Sequence, residues 1–209
     1  INSKKIKTGN LFIAIKGKNQ DGHNFVKEAL NNKANYCVVQ KNINNLNRKK
    51  LIKYSSTFKF LNKLARFKRN YTNSKVIAIT GSSGKTTLKT ILGKTLGNYG
   101  KTYFSQQSYN NHIGVPLSLC NLEHEHKYGV FEIGMSNAGE IRILSNLVKP
   151  NIAIITNIGE AHIENFDNMN SIAKAKSEII ENINKGGYLI LNGDDKYFKH
   201  FSMLAKKKK

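Results

Sequence analysis

Cysteine is nearly absent: Cys37 and Cys120 stand far apart, in no CxxC or other metal-ligand spacing. That excludes a disulfide framework and a cysteine zinc site, and leaves two buried thiols as the expectation. Long apolar runs are absent too, since none approaches the roughly 20 residues that a membrane-spanning helix requires. The opening INSKKIKTGN lacks the charged-then-apolar order of a secretory signal, so a cytoplasmic location is expected. Acidic residues are scarce, 13 against 34 Lys and Arg, for a net charge of +21. Taken alone, that excess points to nucleic acid or another polyanion. The lysines, however, are scattered singly among abundant Asn and Ile, as an AT-rich genome also produces. No RGG run or aromatic-basic interleaving accompanies them, so no nucleic-acid partner is expected. The lysines of 206–209 read as a solvated end.

What is present suffices for a core: 209 residues, 39% of them hydrophobic, make one large domain or two modest ones. The first part reads as a small α/β unit. LFIAI (11–15) and YCVVQ (36–40) are predicted strands around a helix near 25–30, KNINNLNRKK (41–50) is a loop, and 57–71 is a helix. A linker near 71–74 follows. The second part alternates strands at 76–80, 101–104, 128–134, 151–157 and 188–191 with helices at 85–96, from about 115, at 138–147 and at 172–183. Such alternation predicts a mostly parallel, doubly wound α/β sheet, with ligands at the C-terminal ends of its strands.

The stretch ITGSSGKTT (79–87) follows the apolar run VIAI. Strand, glycine turn and helix start are the parts of a phosphate cradle. Gly81 and Gly84 let backbone N–H groups converge on phosphate, Lys85 supplies charge and Thr86 a hydroxyl for Mg²⁺. The spacing is GxxGKTT rather than GxxxxGK[ST], with Ile79 where the first glycine should be. Glu132, ending the strand VFEIG, is the candidate acidic ligand of a neighbouring strand. His162 in TNIGEAHIENF is a candidate metal group, direct or indirect. Lys176 in AKAKSEII, on a predicted helix, reads by itself as a solvated lysine, and His124 and His126 in LEHEHK read as an exposed loop.

In order along the chain, NSKKIKTGNLFIAIKGKNQDGHNF, ITGSSGKTT, NNHIGVPLSL, FEIGMSNAGEI, NIAIITNIGEAHIENF, AKAKSEI and LNGDD resemble the Mur ligase family. GxxGKTT is that family's own form of the loop. NNHIGVP and EIGMSNAGEI are most similar to the branch that adds D-alanyl-D-alanine to a UDP-N-acetylmuramoyl-tripeptide in peptidoglycan precursor synthesis. The resemblance implies an ATP-dependent amide ligase working through an acyl phosphate, with ATP and Mg²⁺ as cofactors, acting as a monomer. It implies that Gly81, Ser82, Ser83, Gly84, Lys85, Thr86 and Thr87 bind ATP phosphates, with Asn111 and Asn157 beside them. It further implies Mg²⁺ on Thr86, Glu132 and His162, and a carbamylated Lys176 offering a carboxylate to a second Mg²⁺. Lys85, Lys176 and His162 are the expected catalytic set.

Residues 1–73 would then bind the UDP precursor, with Ser3, Lys4, Gly22 and His23 as candidates, and 74–209 would form the ATP-binding central domain. The chain carries Asn2, Ser3 and Lys4 where the family has Asp-Ser-Arg, and lysine lacks the arginine fork. It is expected to be a fragment, short at its start, missing the later part of the ATPase domain and the domain that brings the amino component, and inactive alone. Another Mur-type amino acid ligase, or a basic P-loop module binding nucleotide or a polyanion, are the alternatives.

Overall fold

The computed structural model describes residues 1–161 and 163–207 and divides into two compact units, the first ending at Leu64. In the first, β1 (Leu11–Ile13), β2 (Tyr36–Val39) and β3 (Leu51–Lys53) form a parallel sheet in the order β1-β2-β3. Between β1 and β2 lies α1 (Val26–Asn31), entered through a 3-10 turn at Gly22–Phe25. Phe12, Ala14, Val26, Ala29, Cys37 and Val39 close its core. The strand β3 is absent from the sequence-based reading, because its three residues LIK carry one half-buried apolar side chain and no alternation to detect. Helix α2 (Thr57–Tyr71) has the predicted bounds; it starts in the first unit and ends in the second.

The second unit is a doubly wound sheet of five parallel strands: β4 (Lys75–Thr80), β5 (Thr102–Phe104), β6 (Tyr128–Glu132), β7 (Ile152–Ile155) and β8 (Tyr188–Leu191), in the order β5-β6-β4-β7-β8. Sequence order reverses on either side of β4, so the crevice for a ligand opens at its C-terminal end. Alternate residues of the central strands serve opposite faces. Ile77, Ile79, Val130 and Ile154 pack with Leu88, Leu92 and Leu96 of α3 (Lys85–Gly97). Val76, Ala78, Phe131, Ala153 and Ile155 pack with α4 (Gly114–Cys120), α5 (Glu140–Val148) and α6 (Met169–Ser177) on the other face.

Four expectations need correction. The predicted helix at 172–183 begins earlier and tightens to a 3-10 turn at Glu178–Asn182. An unpredicted helix, α7 (Phe198–Lys207), buries Phe201 and takes Lys206 and Lys207 into its last turn, where cations complement the helix dipole. His126 is buried rather than exposed: its Nδ1 accepts from the Glu123 N–H at 2.9 Å, and its ring meets Tyr103 edge-on. Cys37 is buried as expected, Cys120 only half-buried.

Candidate functional site

Residues 81–84 join β4 to α3 at the sheet's switch point. Gly81 and Gly84 have φ of +145° and +78°, which favour glycine. A Cβ on Gly81 would lie 1.9 Å from Thr156 Oγ1, so close approach as well as φ selects glycine there; at Gly84 only φ does. The exit of β7 grips this loop. The Ser82 N–H donates to Asn157 O (2.9 Å) and the Ser83 N–H to Asn157 Oδ1 (3.0 Å). Asn157 Nδ2 donates to Ser83 Oγ (2.9 Å) and Thr156 Oγ1 to Ser83 O (2.7 Å). Ser82 Oγ donates to Gly159 O (2.9 Å) and accepts from the Gly159 N–H (2.8 Å). Asp195, in the β8–α7 turn, accepts from the Ile158 N–H at 2.8 Å and so steadies the same segment.

Two ammonium groups converge on one oxygen. Lys85 Nζ donates to Gly81 O at 2.7 Å and to Ser82 O at 3.2 Å, and Lys176 Nζ donates to the same Gly81 O at 3.1 Å. Lys176 is 2% exposed, not solvated. Burial, with repulsion from Lys85 added, pushes its pKa down to about 8. Burial lowers that of Lys85 too, and the charge of Glu132 partly restores it. Two cations across one carbonyl oxygen make a place that suits an anion.

Glu132 ends β6 in register with Ile79 of β4 and is fully buried. Asn110 Nδ2 donates to its Oε1 at 2.7 Å, and Lys89 Nζ lies 3.3 Å from its Oε2. That approach is an ion pair without hydrogen-bond alignment, so Oε2 is buried with no hydrogen bond. Thr86 Oγ1 and Ser108 Oγ lie 3.0 Å apart, and Thr87 is exposed on α3. Asn111 Oδ1 accepts from the Ile113 and Gly114 N–H groups and so opens α4. His162 lies outside the described residues.

The structure therefore gathers Gly81, Ser82, Ser83, Gly84, Lys85, Asn157 and Lys176 directly, with Thr86 and Glu132 on the adjoining elements. Sequence reasoning missed Lys89, Asn110 and Asp195. Lys89 carried a usable signal, a charged residue inside the Leu88, Leu92, Leu96 stripe of α3. Asn110 and Asp195 had none beyond their place in NNHIG and LNGDD.

Among the described residues no group of three or more His, Cys, Asp or Glu side chains could hold a metal. One fixed carboxylate with an unbonded oxygen, plus a hydroxyl at a helix start, suits Mg²⁺ that keeps phosphate and water ligands. The donor set therefore fits. A cavity of about 1010 Å³ lies elsewhere, lined by Arg142, Phe166, Asn170, Lys174, Glu178 and His200.

In the first unit the four candidates are spent differently. Ser3 Oγ donates to Glu28 Oε2 (2.7 Å), and a Cβ on Gly22 would meet the Ile15 backbone at 2.7 Å. His23 is buried with Nδ1 2.5 Å from Asp21 Oδ1, and its Nε2 accepts from the Gln40 N–H at 2.9 Å. Lys4 is exposed.

The model described as "Mur ligase middle domain" matches residues 79–209, and that described as "Mur ligase family, catalytic domain" matches residues 1–69. The chain is 39% identical over 204 residues to a UDP-N-acetylmuramoyl-tripeptide–D-alanyl-D-alanine ligase of Rickettsia prowazekii, covering 97% of this chain and 45% of the relative. A crystal structure of MurF from Acinetobacter baumannii superposes with a TM-score of 0.86 at 36% identity, covering 99% of this chain and 45% of that one. MurF from Thermotoga maritima in complex with ADP gives a TM-score of 0.82 at 32% identity, covering 99% and 47%. The chain thus spans less than half the length of the relatives it matches. No helix among the described residues is long and apolar enough to cross a membrane.

Proposed function

Because the chain belongs to the Mur ligase family, we propose that it carries the nucleotide-binding centre of an ATP-dependent ligase that adds D-alanyl-D-alanine to a UDP-N-acetylmuramoyl-tripeptide. The observation that supports this most is the convergence of Lys85 and Lys176 on Gly81 O, one half-buried and one buried cation at the mouth of a glycine-rich phosphate loop. A loop of this kind with an ADP-bound structural relative favours a nucleotide phosphate as the anion. The reaction belongs in the cytoplasm, and a monomer suffices for it.

In this reading the tripeptide carboxylate attacks the γ-phosphorus of ATP, the bond to ADP breaks, and an acyl phosphate forms. The D-alanyl-D-alanine amine attacks its carbonyl carbon, the amide forms, and phosphate and a proton leave. The chain's part is positioning and charge. N–H groups of Gly84 and the first turn of α3 receive the phosphates, while those of Ser82 and Ser83 stay tied to Asn157 and hold the loop's shape. Lys85 exchanges its backbone carbonyls for phosphate oxygens, an interaction stronger by reason of charge. Thr86 and Glu132 hold Mg²⁺, which when bound neutralises charge on the transferring phosphoryl. In the same reading Asn111 and Asn157 would line the phosphate pocket.

The depressed pKa of Lys176 suits carbamylation, which needs the neutral amine: amine and CO₂ give a carbamate and a proton. At pH 7 a lysine of pKa about 8 is neutral in about one molecule in ten, hundreds of times more than an ordinary lysine. The product would be an anion able to hold a second Mg²⁺. Residues 1–73 take the UDP precursor.

The experiment is amide formation by a protein containing this chain, with ATP, Mg²⁺ and the UDP-linked tripeptide, offering D-alanyl-D-alanine against single amino acids. Preference for the dipeptide, lost in Lys85→Ala, supports the reading. Preference for a single amino acid moves the protein to another branch, and activity that survives Lys85→Ala refutes the assigned mechanism.

A further inference from the structure

Lys89 and Glu132 are both wholly buried, and a charge in such surroundings is costly unless compensated. Nothing in the phosphate-loop chemistry above uses Lys89. Its ammonium donates to Gln107 O at 2.8 Å and Ser105 Oγ at 3.2 Å, and stands 3.3 Å from Glu132 Oε2. The Gln107 and Ser105 contacts tie it to the segment between β5 and α4. That segment also supplies Asn110, which holds Glu132 Oε1, and its Asn110 O accepts from the Gly134 N–H at 2.8 Å. Lys89 thus meets the carboxylate from α3 while its other bonds hold the turn that grips the carboxylate's second oxygen.

The unaligned approach of Lys89 matters as much as the charge. Oε2 gains a counter-ion and keeps a lone pair unbonded. A directed hydrogen bond there would compete with a metal, whereas a compensating charge alone leaves that oxygen open.

We propose that Lys89 is a positioning residue for the metal site: it balances the buried charge of Glu132 and fixes the Ser105-to-Asn110 turn, so that Oε2 is presented to a divalent cation arriving with the nucleotide. This rests on the reading of Glu132 as an Mg²⁺ ligand. Lys89 itself touches neither nucleotide nor substrate. Without it the carboxylate loses both its counter-charge and, through the turn, its fixed orientation.

The test is ADP binding by calorimetry, with Mg²⁺ and with EDTA, for the wild type, Lys89→Met, Lys89→Arg and Glu132→Gln. The quantity read is the strengthening of ADP affinity by Mg²⁺. In Lys89→Met it is expected to fall at least tenfold while Mg²⁺-free ADP affinity stays within about threefold, and Lys89→Arg recovers most of it. Lys89→Gln, which keeps an amide donor on a side chain one atom shorter and removes the charge, serves if the Met variant does not fold. Full strengthening in Lys89→Met or Lys89→Gln overturns the proposal. So does an equal loss with and without Mg²⁺, which marks a merely structural lysine. Loss in Glu132→Gln alongside retention in the Lys89 variants leaves the metal assignment standing and removes this one. Full strengthening in Glu132→Gln, or none in the wild type, removes the metal assignment itself and this proposal with it.

Discussion

Lys85 and Lys176 donate to the same carbonyl oxygen, that of Gly81, at 2.7 and 3.1 Å. One comes from the start of α3 and the other from α6, far apart in sequence, and they meet because both elements lie at the C-terminal end of the central strand β4. An anion held beside them would relieve their mutual repulsion.

Lys85→Ala is expected to weaken ADP binding about 10- to 100-fold, as loss of a charged hydrogen bond worth about 1.5–3 kcal/mol. Titration calorimetry measures it, with circular dichroism to verify the fold. Affinity within about twofold of the wild type would contradict the role given to this lysine.

Lys176 carries a sign that can be checked. Its folded pKa of about 8 lies below the ordinary 10.5, so the unfolded chain binds more protons between those values and stability rises with pH there. Below about pH 8 the burial cost is fully present. In bicarbonate-free buffer, Lys176→Met is therefore expected to raise the urea midpoint at pH 7, the gain shrinking from pH 8 to 10. A gain independent of pH, or a loss at pH 7, would contradict this.

The two loop glycines separate strain from collision. Gly84→Ala meets nothing within 4 Å and is expected to cost about 1–2 kcal/mol, from φ alone. Gly81→Ala places a methyl 1.9 Å from Thr156 Oγ1 and must displace the β7 exit, so it should cost more and weaken ADP binding as well. Equal urea midpoints for the two variants would argue against the close packing described.

Much of this was legible because parallel strands with helical crossovers repeat a pattern. VIAI before GSSGKTT announces strand, turn and helix from local chemistry alone, and α2 was found to the residue by its apolar spacing. What stayed hidden depends on distant partners. Lys176 looks solvated until α6 is laid against β4, and His126 looks like loop until its Nδ1 finds the Glu123 N–H. The helix α7 was masked by lysines that read as a tail, although Phe201 anchors it in the core.

Asp195 illustrates the same dependence and can be tested. Its carboxylate accepts from the Ile158 N–H and from the Tyr197 N–H, both at 2.8 Å. In Asp195→Asn an amide nitrogen must face one of those donors, so a stability loss of about 1–3 kcal/mol is expected by urea denaturation. A several-fold weaker ADP affinity should accompany it through the Asn157-to-Gly159 segment. Unchanged values of both would detach the β8–α7 turn from the site.

The most direct measurement is calorimetric titration of ATP into this protein in the presence of Mg²⁺, beside a titration with inorganic sulfate as a simple anion. Saturable binding of one ATP per chain, with sulfate far weaker and ATP affinity lowered about 10- to 100-fold in Lys85→Ala, is the expected result. No ATP binding, or ATP binding indifferent to Lys85, would contradict the claim that these residues form a nucleotide phosphate site.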